Sequence, residues 1–92
     1  MSWTVYILRT RSGRLYTGIT TDLERRVRQH RRELVGGAKS IKGDPPASIA
    51  YTEAQPDRST ATKREAAIKR MPRAKKLVLI DSVGRGRRTK RA

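Results

Sequence analysis

Five residues of this chain carry side chains suited to moving protons and steadying charge around a phosphate ester. Tyr6 and Tyr16 stand ten residues apart, Arg26 stands ten after Tyr16, His30 follows four later, and Glu65 comes much further on. A phenol has a pKa of about 10, so it acts as a base near neutrality only when a cation or metal stabilises the phenolate. The plainer reading of Tyr6 and Tyr16 is a pair of cross-strand aromatic neighbours. A guanidinium such as Arg26 answers the charge that builds on nonbridging phosphate oxygens with directed donors. His30 could relay a proton or donate to phosphate, or simply be a structural histidine on an apolar stripe. Glu65 could hold Mg²⁺, which needs only one or two carboxylates when water and phosphate fill the rest. It could equally form an i,i+4 pair with Lys69.

Those side chains need a scaffold, and the local patterns supply one. Trp3 to Leu8 is β-branched and aromatic, Arg11 to Arg14 reads as a turn in which Gly13 takes positive φ, and Leu15 to Thr20 reads as the return strand. Alternation sets Tyr6 opposite Val5 and Ile7, and Tyr16 opposite Leu15, Thr17 and Ile19, so a matching register would put both tyrosines on one side of the hairpin. Thr21 and Glu24 have capping-box spacing for a helix whose inward stripe is Leu23, Val27, His30 and Leu34, ending at Gly36-Gly37. Arg26 and His30 are neighbours on that helix. After a loop holding Lys39, Lys42 and Pro45-Pro46, residues Ser48 to Thr52 read as a third strand. Ser59 is placed to cap a second helix, with Ala61, Ile68 and Met71 on its apolar side and Glu65 near it. Pro72 suits the first turn of a third helix, in which Ala74, Leu77, Val78 and either Ile80 or Asp81 follow; the Leu77–Ile80 run has strand character, but helix is preferred. The expected order is ββαβαα: an α+β fold with a three-stranded antiparallel sheet flanked by helices.

Composition limits the rest. At 92 residues, with 35% apolar and no Phe, the core of one small domain must be built from Val, Ile, Leu and Ala plus Trp3. The domain is expected over residues 1–83, followed by a basic, disordered tail over 84–92. Lys and Arg number 23 against 8 acids, for a net charge of +15. Residues 84–92 hold five of the basic groups and no acid, so the first 83 residues still carry +10. A body that basic repels itself unless a polyanion is near, and nucleic acid is the usual one. With no cysteine and a single His, disulfides, thiolate zinc sites, cysteine nucleophiles and multi-histidine metal sites are all excluded. Nothing resembles a signal peptide or a membrane span, so a cytoplasmic protein without a membrane partner is expected.

Val5-Tyr6-Ile7 and Tyr16-Thr17-Gly18 resemble the two signatures of the GIY-YIG nuclease superfamily. Leu15 to Arg26, Gly37-Ala38-Lys39 and Arg64-Glu65-Ala66-Ala67-Ile68-Lys69 are similar to stretches of its small stand-alone bacterial members. The combined spacing, over about residues 3 to 80, is far more specific than any one motif. The resemblance implies a divalent-metal-dependent endonuclease that hydrolyses DNA phosphodiester bonds in repair or recombination. It implies Tyr6 or Tyr16 as general base, Arg26 on the transition-state phosphate, His30 assisting proton transfer, and Glu65 as sole carboxylate ligand of one Mg²⁺ or Mn²⁺. Arg25, Lys39, Lys42 and Lys69 are expected on the nucleic acid. Three departures stand out: Thr4-Val5 replaces the first signature glycine, the chain has no Asn where some relatives use one, and Ser40 to Asp44 follows Lys39 where an aromatic or basic continuation is expected. There is no room for a domain that reads sequence, so structure-selective or non-specific cleavage is expected, by a monomer. DNA is the expected partner with RNA as the alternative; the rival function is a non-catalytic nucleic-acid-binding protein that keeps the fold.

Overall fold

The computed structural model describes residues 2–31 and 43–91, with side chains as far as Ser82. Six elements follow in the expected order: β1 Trp3–Thr10, β2 Leu15–Thr20, α1 Leu23–His30, β3 Pro46–Gln55, α2 Arg58–Arg70 and α3 Arg73–Arg91. The strands form one antiparallel sheet in the order β2-β1-β3. The fold is α+β, with helices on both faces of the sheet.

The hairpin forms as its turn chemistry predicts, with Gly13 at φ 93°. Its register sets Tyr6 opposite Gly18 and Leu8 opposite Tyr16. Residues two apart on a strand share a face, so both tyrosines, Leu8 and Gly18 look out of the same side. There Tyr6, Leu8 and Val27 form one buried cluster, with Tyr16 and Leu23 packed against it. The opposite face carries the larger cluster of Val5, Ile7, Tyr51, Ala61 and Ile68, to which Leu79, Ile80, Met71 and Trp3 are added. Thus α1 covers the tyrosine face, while α2 and α3 cover the other.

Several boundaries differ from the sequence reading. Asp22, not Thr21, caps α1: its carboxylate accepts from the Arg25 amide at 3.1 Å. The Thr20 hydroxyl, accepting from the Asp22 amide at 3.0 Å, ends β2 and fixes where the helix can start. Likewise Asp57, not Ser59, caps α2, accepting from the Thr60 amide at 2.8 Å. In both cases an acid precedes the expected cap or follows it closely, and its charge suits the positive helix N-terminus better than a hydroxyl does. β3 is twice the expected length. Pro46 is tolerated because it is the first residue of an edge strand. Asp44 sets that start by accepting from the Thr10 hydroxyl at 2.7 Å and the Ser12 amide at 3.0 Å, which stitches the hairpin turn to β3.

Leu77 to Ile80 is helical, but its inward side is Leu79 and Ile80, whereas Leu77 is 36% and Val78 69% exposed. Four consecutive apolar residues cover more than one flank of a helix, and only the flank toward β3 and Met71 can be buried. Helical backbone runs on to Arg91, across the segment set apart above as a tail. On α1, the inward stripe is Leu23, Val27 and His30 as expected; Leu34 and the Gly36-Gly37 terminus lie outside the described residues. No helix among the described residues is long and apolar enough to cross a membrane.

Candidate active site

Three elements bring four of the five residues together on the tyrosine face. Tyr6 comes from β1, Tyr16 from β2, and Arg26 and His30 from α1. The Tyr6 hydroxyl lies 3.0 Å from His30 Nε2, and both side chains are buried, each 1% exposed. The Tyr16 ring stands edge-on to His30 with centroids 5.0 Å apart, and 6.4 Å from the Tyr6 ring. Arg26 also hydrogen-bonds the Tyr6 phenol, and its Nη1 donates to Gln29 Oε1 at 2.9 Å. Gln29, three residues on, steadies the guanidinium; the sequence reading missed it, although the i,i+3 spacing was there to find.

Gly18 makes this packing possible. A Cβ at that position would fall 2.5 Å from Tyr6 Cζ and closer still to its hydroxyl, so the Tyr6 ring lies directly over the glycine across the strand pair. The glycine of the second signature-like segment is thus a matter of room rather than backbone torsion.

Electrostatics separates the roles of these groups. Burial pushes the Tyr6 phenol up to about 12, against the opposing pull of its hydrogen bond from Arg26; the Tyr16 phenol and the Glu65 carboxylate add smaller upward pushes. Burial, with the Arg26 charge beside it, brings His30 down to about 4. His30 is therefore neutral at pH 7. Arg26 has donors only, so the Tyr6 oxygen accepts from it. The proton arrangement that satisfies every group has the Tyr6 hydroxyl donating to a neutral His30 Nε2, a short chain from Arg26 through Tyr6 to His30.

Glu65 approaches differently. It lies on α2 between the buried Ala61 and Ile68, and α2 packs on the opposite face of the sheet. Its carboxylate is half-buried, influences Tyr6 electrostatically, and meets Lys69 Nζ at 3.4 Å. The i,i+4 pair weighed above is therefore present. Among the described residues no group of three or more His, Asp or Glu side chains could hold a metal. The donor set on offer is one hard oxygen ligand. That fits an ion such as Mg²⁺, which keeps several waters and completes its shell with substrate phosphate, and it does not fit a preformed protein cage. Next to Glu65 in sequence, Arg64 Nε donates to both Glu53 carboxylate oxygens at 3.1 Å, and Glu53 also accepts from Tyr51 at 2.7 Å. This network, unforeseen from the sequence, ties α2 to β3.

Of the residues expected on nucleic acid, Arg25 is exposed on α1 and Lys69 is exposed beside Glu65. Lys39 and Lys42 lie outside the described residues.

Comparison with known proteins agrees with this architecture. The GIY-YIG catalytic domain model matches residues 2–77. A UPF0213 protein of Sodalis glossinidius is 46% identical over 74 residues, covering 80% of this chain and 67% of that protein. A UPF0213 protein of Xanthomonas axonopodis pv. citri is 41% identical over 80 residues, covering 87% and 76% respectively. The solution NMR structure of a UPF0213 protein from Bacillus halodurans superposes with a TM-score of 0.56 at 37% identity, covering 88% of this chain and 84% of the other. The hairpin tyrosines, the α1 arginine and histidine and the α2 glutamate thus sit on a shared small scaffold, and the chain belongs to the GIY-YIG catalytic domain family.

Proposed function

We propose that this chain is a divalent-metal-dependent endonuclease that hydrolyses DNA phosphodiester bonds in repair or recombination, choosing its sites by structure or not at all. The observation that carries this reading is the Arg26–Tyr6–His30 chain with Tyr16 against it. A surface that only bound a polyanion would need cations, and would gain nothing from a neutral imidazole hydrogen-bonded to a phenol beneath one of them.

The water-facing role goes to Tyr16. Tyr6 is buried and its phenol is held protonated, whereas Tyr16 is only half-buried and edges His30. Tyr6 orients the imidazole and Arg26, while Tyr16, its own proton given up to solvent, accepts one from the attacking water. Arg26 holds the nonbridging oxygens as charge accumulates on the phosphate. Glu65 would hold one Mg²⁺ or Mn²⁺, releasing Lys69. When bound, the ion would stabilise charge on the departing 3′ oxygen.

The rival reading, a non-catalytic binding protein, draws on the Glu65–Lys69 pair, which occupies the carboxylate expected to hold the metal. Cleavage of labelled linear, single-stranded, flap and branched DNA in Mg²⁺, Mn²⁺ or EDTA separates the two. Arg26→Ala and Glu65→Gln should each lower cleavage by about 100-fold or more while leaving EDTA binding close to wild type. Equal, salt-sensitive binding by all three proteins without any cut would instead establish the binding module.

A further inference from the structure

On the flank of α1 away from Arg26 lies a groove that the proposed reaction does not use. The apolar Leu23, Val27 and Ile49 and the charged Glu24, Arg28 and Arg31 line it, around a volume of about 540 Å³. Ile49, a large apolar residue of β3, is 46% exposed. β3 is an edge strand, so among the described residues this side of Ile49 has no neighbouring strand in the sheet. With about 100° between successive residues of a helix, Arg26 falls to one side of the buried Leu23–Val27–His30 stripe and Arg28 and Arg31 to the other. The α1 helix thus carries Arg26 on one flank and the groove on the other, over a stripe that Leu23 and Val27 share with the tyrosine cluster.

We infer that this groove receives an unpaired nucleotide of the substrate strand, an inference that rests on the nuclease reading above. Its apolar lining suits the face of a base, which is sequence-tolerant because every base has one. Among its lining side chains only Glu24, Arg28 and Arg31 could hydrogen-bond, and the apolar Leu23, Val27 and Ile49 offer no group that reads a base edge. Arg28 and Arg31 supply cations for the adjoining phosphate, and α1 with its C-cap carries Arg25, Arg26, Arg28 and Arg31 against a single acid, Glu24. The volume lies in the range of a small-molecule pocket, room for one base and its sugar but not for a stacked base pair. A helix is about 10–12 Å across, so a strand with one phosphate at Arg26 can pass over α1 and lay a neighbouring base in the groove. Unpaired nucleotides beside the cut would then be preferred, which makes flaps, branches and single strands the substrate class.

The test is fluorescence anisotropy of a labelled single-stranded oligonucleotide and of a duplex of equal length, in EDTA at fixed salt, with the full chain. Ile49→Ser removes the apolar wall without changing charge, and Ile49→Trp enlarges it. The serine variant should lose about tenfold in single-strand affinity and less than about twofold on the duplex. The tryptophan variant should gain single-strand affinity, with its fluorescence quenched on binding. Arg31→Gln, which removes a phosphate contact rather than the apolar surface, should weaken binding to both DNA forms. Single-strand affinity indifferent to Ile49, or equal losses on both DNA forms in the serine variant, overturns the inference and leaves the groove beside an open strand edge to a protein partner. Because no cleavage is measured, a failed nuclease assay with intact discrimination at Ile49 overturns the catalytic reading alone, and the converse overturns the groove alone.

Discussion

Burying an imidazole next to a guanidinium makes the folded state sensitive to acid, and His30 is the residue where this is felt. Its ordinary value of 6.5 falls to about 4 in the folded chain through burial and the Arg26 charge. The unfolded chain therefore binds a proton first as pH falls. Stability from this group is fully present above about 6.5, declines between there and about 4, and changes no further below it. The loss across that window is on the order of 3 kcal/mol. Urea unfolding at a series of pH values should show the decline in the wild type, and His30→Gln should flatten it between pH values of about 6.5 and 4 while the carboxylate contributions at lower pH persist. An unchanged slope in the glutamine variant would mean that His30 is solvated, and the Tyr6–His30 hydrogen bond with it. The same experiment bears on chemistry. A neutral His30 is available to accept from Tyr6 at physiological pH, and cleavage should fade on the acid side as the imidazole is protonated.

At the level of elements, the hairpin, α1 and the order ββαβαα were legible because each rests on local signals: period-two alternation, a glycine turn, an i,i+3/i+4 stripe. The shared face of Tyr6 and Tyr16 followed from alternation once Tyr6 met Gly18 across the pair. Four of the five site residues could be placed for the same reason, since they sit on adjoining elements within the first 30 residues. What was not legible depends on contacts distant in sequence. Asp44 reaches the hairpin turn and lengthens β3, Arg64 locks to Glu53, and the side of α3 that turns inward is chosen by the position of β3 rather than by the apolar run. The caps were missed for a different reason: Thr21 and Ser59 each lie beside a better acceptor. That substitution of roles is testable on α2, the helix that carries Glu65. Asp57→Ala should cost about 1 kcal/mol, whereas Ser59→Ala should change stability by less than about 0.5 kcal/mol, both by chemical denaturation. If the serine variant is the more damaging, α2 starts two residues later than described, and the placement of Glu65 on its inner side changes with it.

For the molecule as a whole, charge sets how the scaffold meets a polyanion. The sheet separates two small cores, with the tyrosine cluster and α1 on one face and α2 and α3 on the other, and the net charge of +15 is spread over a chain of only 92 residues. Binding to duplex DNA driven by this charge should lose affinity as a power of salt concentration, each phosphate contact adding about 0.9 to the slope. The five basic residues among 84–92 can be weighed in that measure without shortening the chain. Replacing Arg85, Arg87, Arg88, Lys90 and Arg91 by Gln should make the slope shallower by up to about 4.5 if the segment lies along the backbone. Cleavage at low salt should then survive with wild-type turnover, since Tyr16, Arg26, His30 and Glu65 are untouched. A slope that does not move would confine the phosphate contacts to the folded body, where α1 and its C-cap carry four arginines against one acid, and would make the arginine-bearing flanks of α1 the principal nucleic-acid surface.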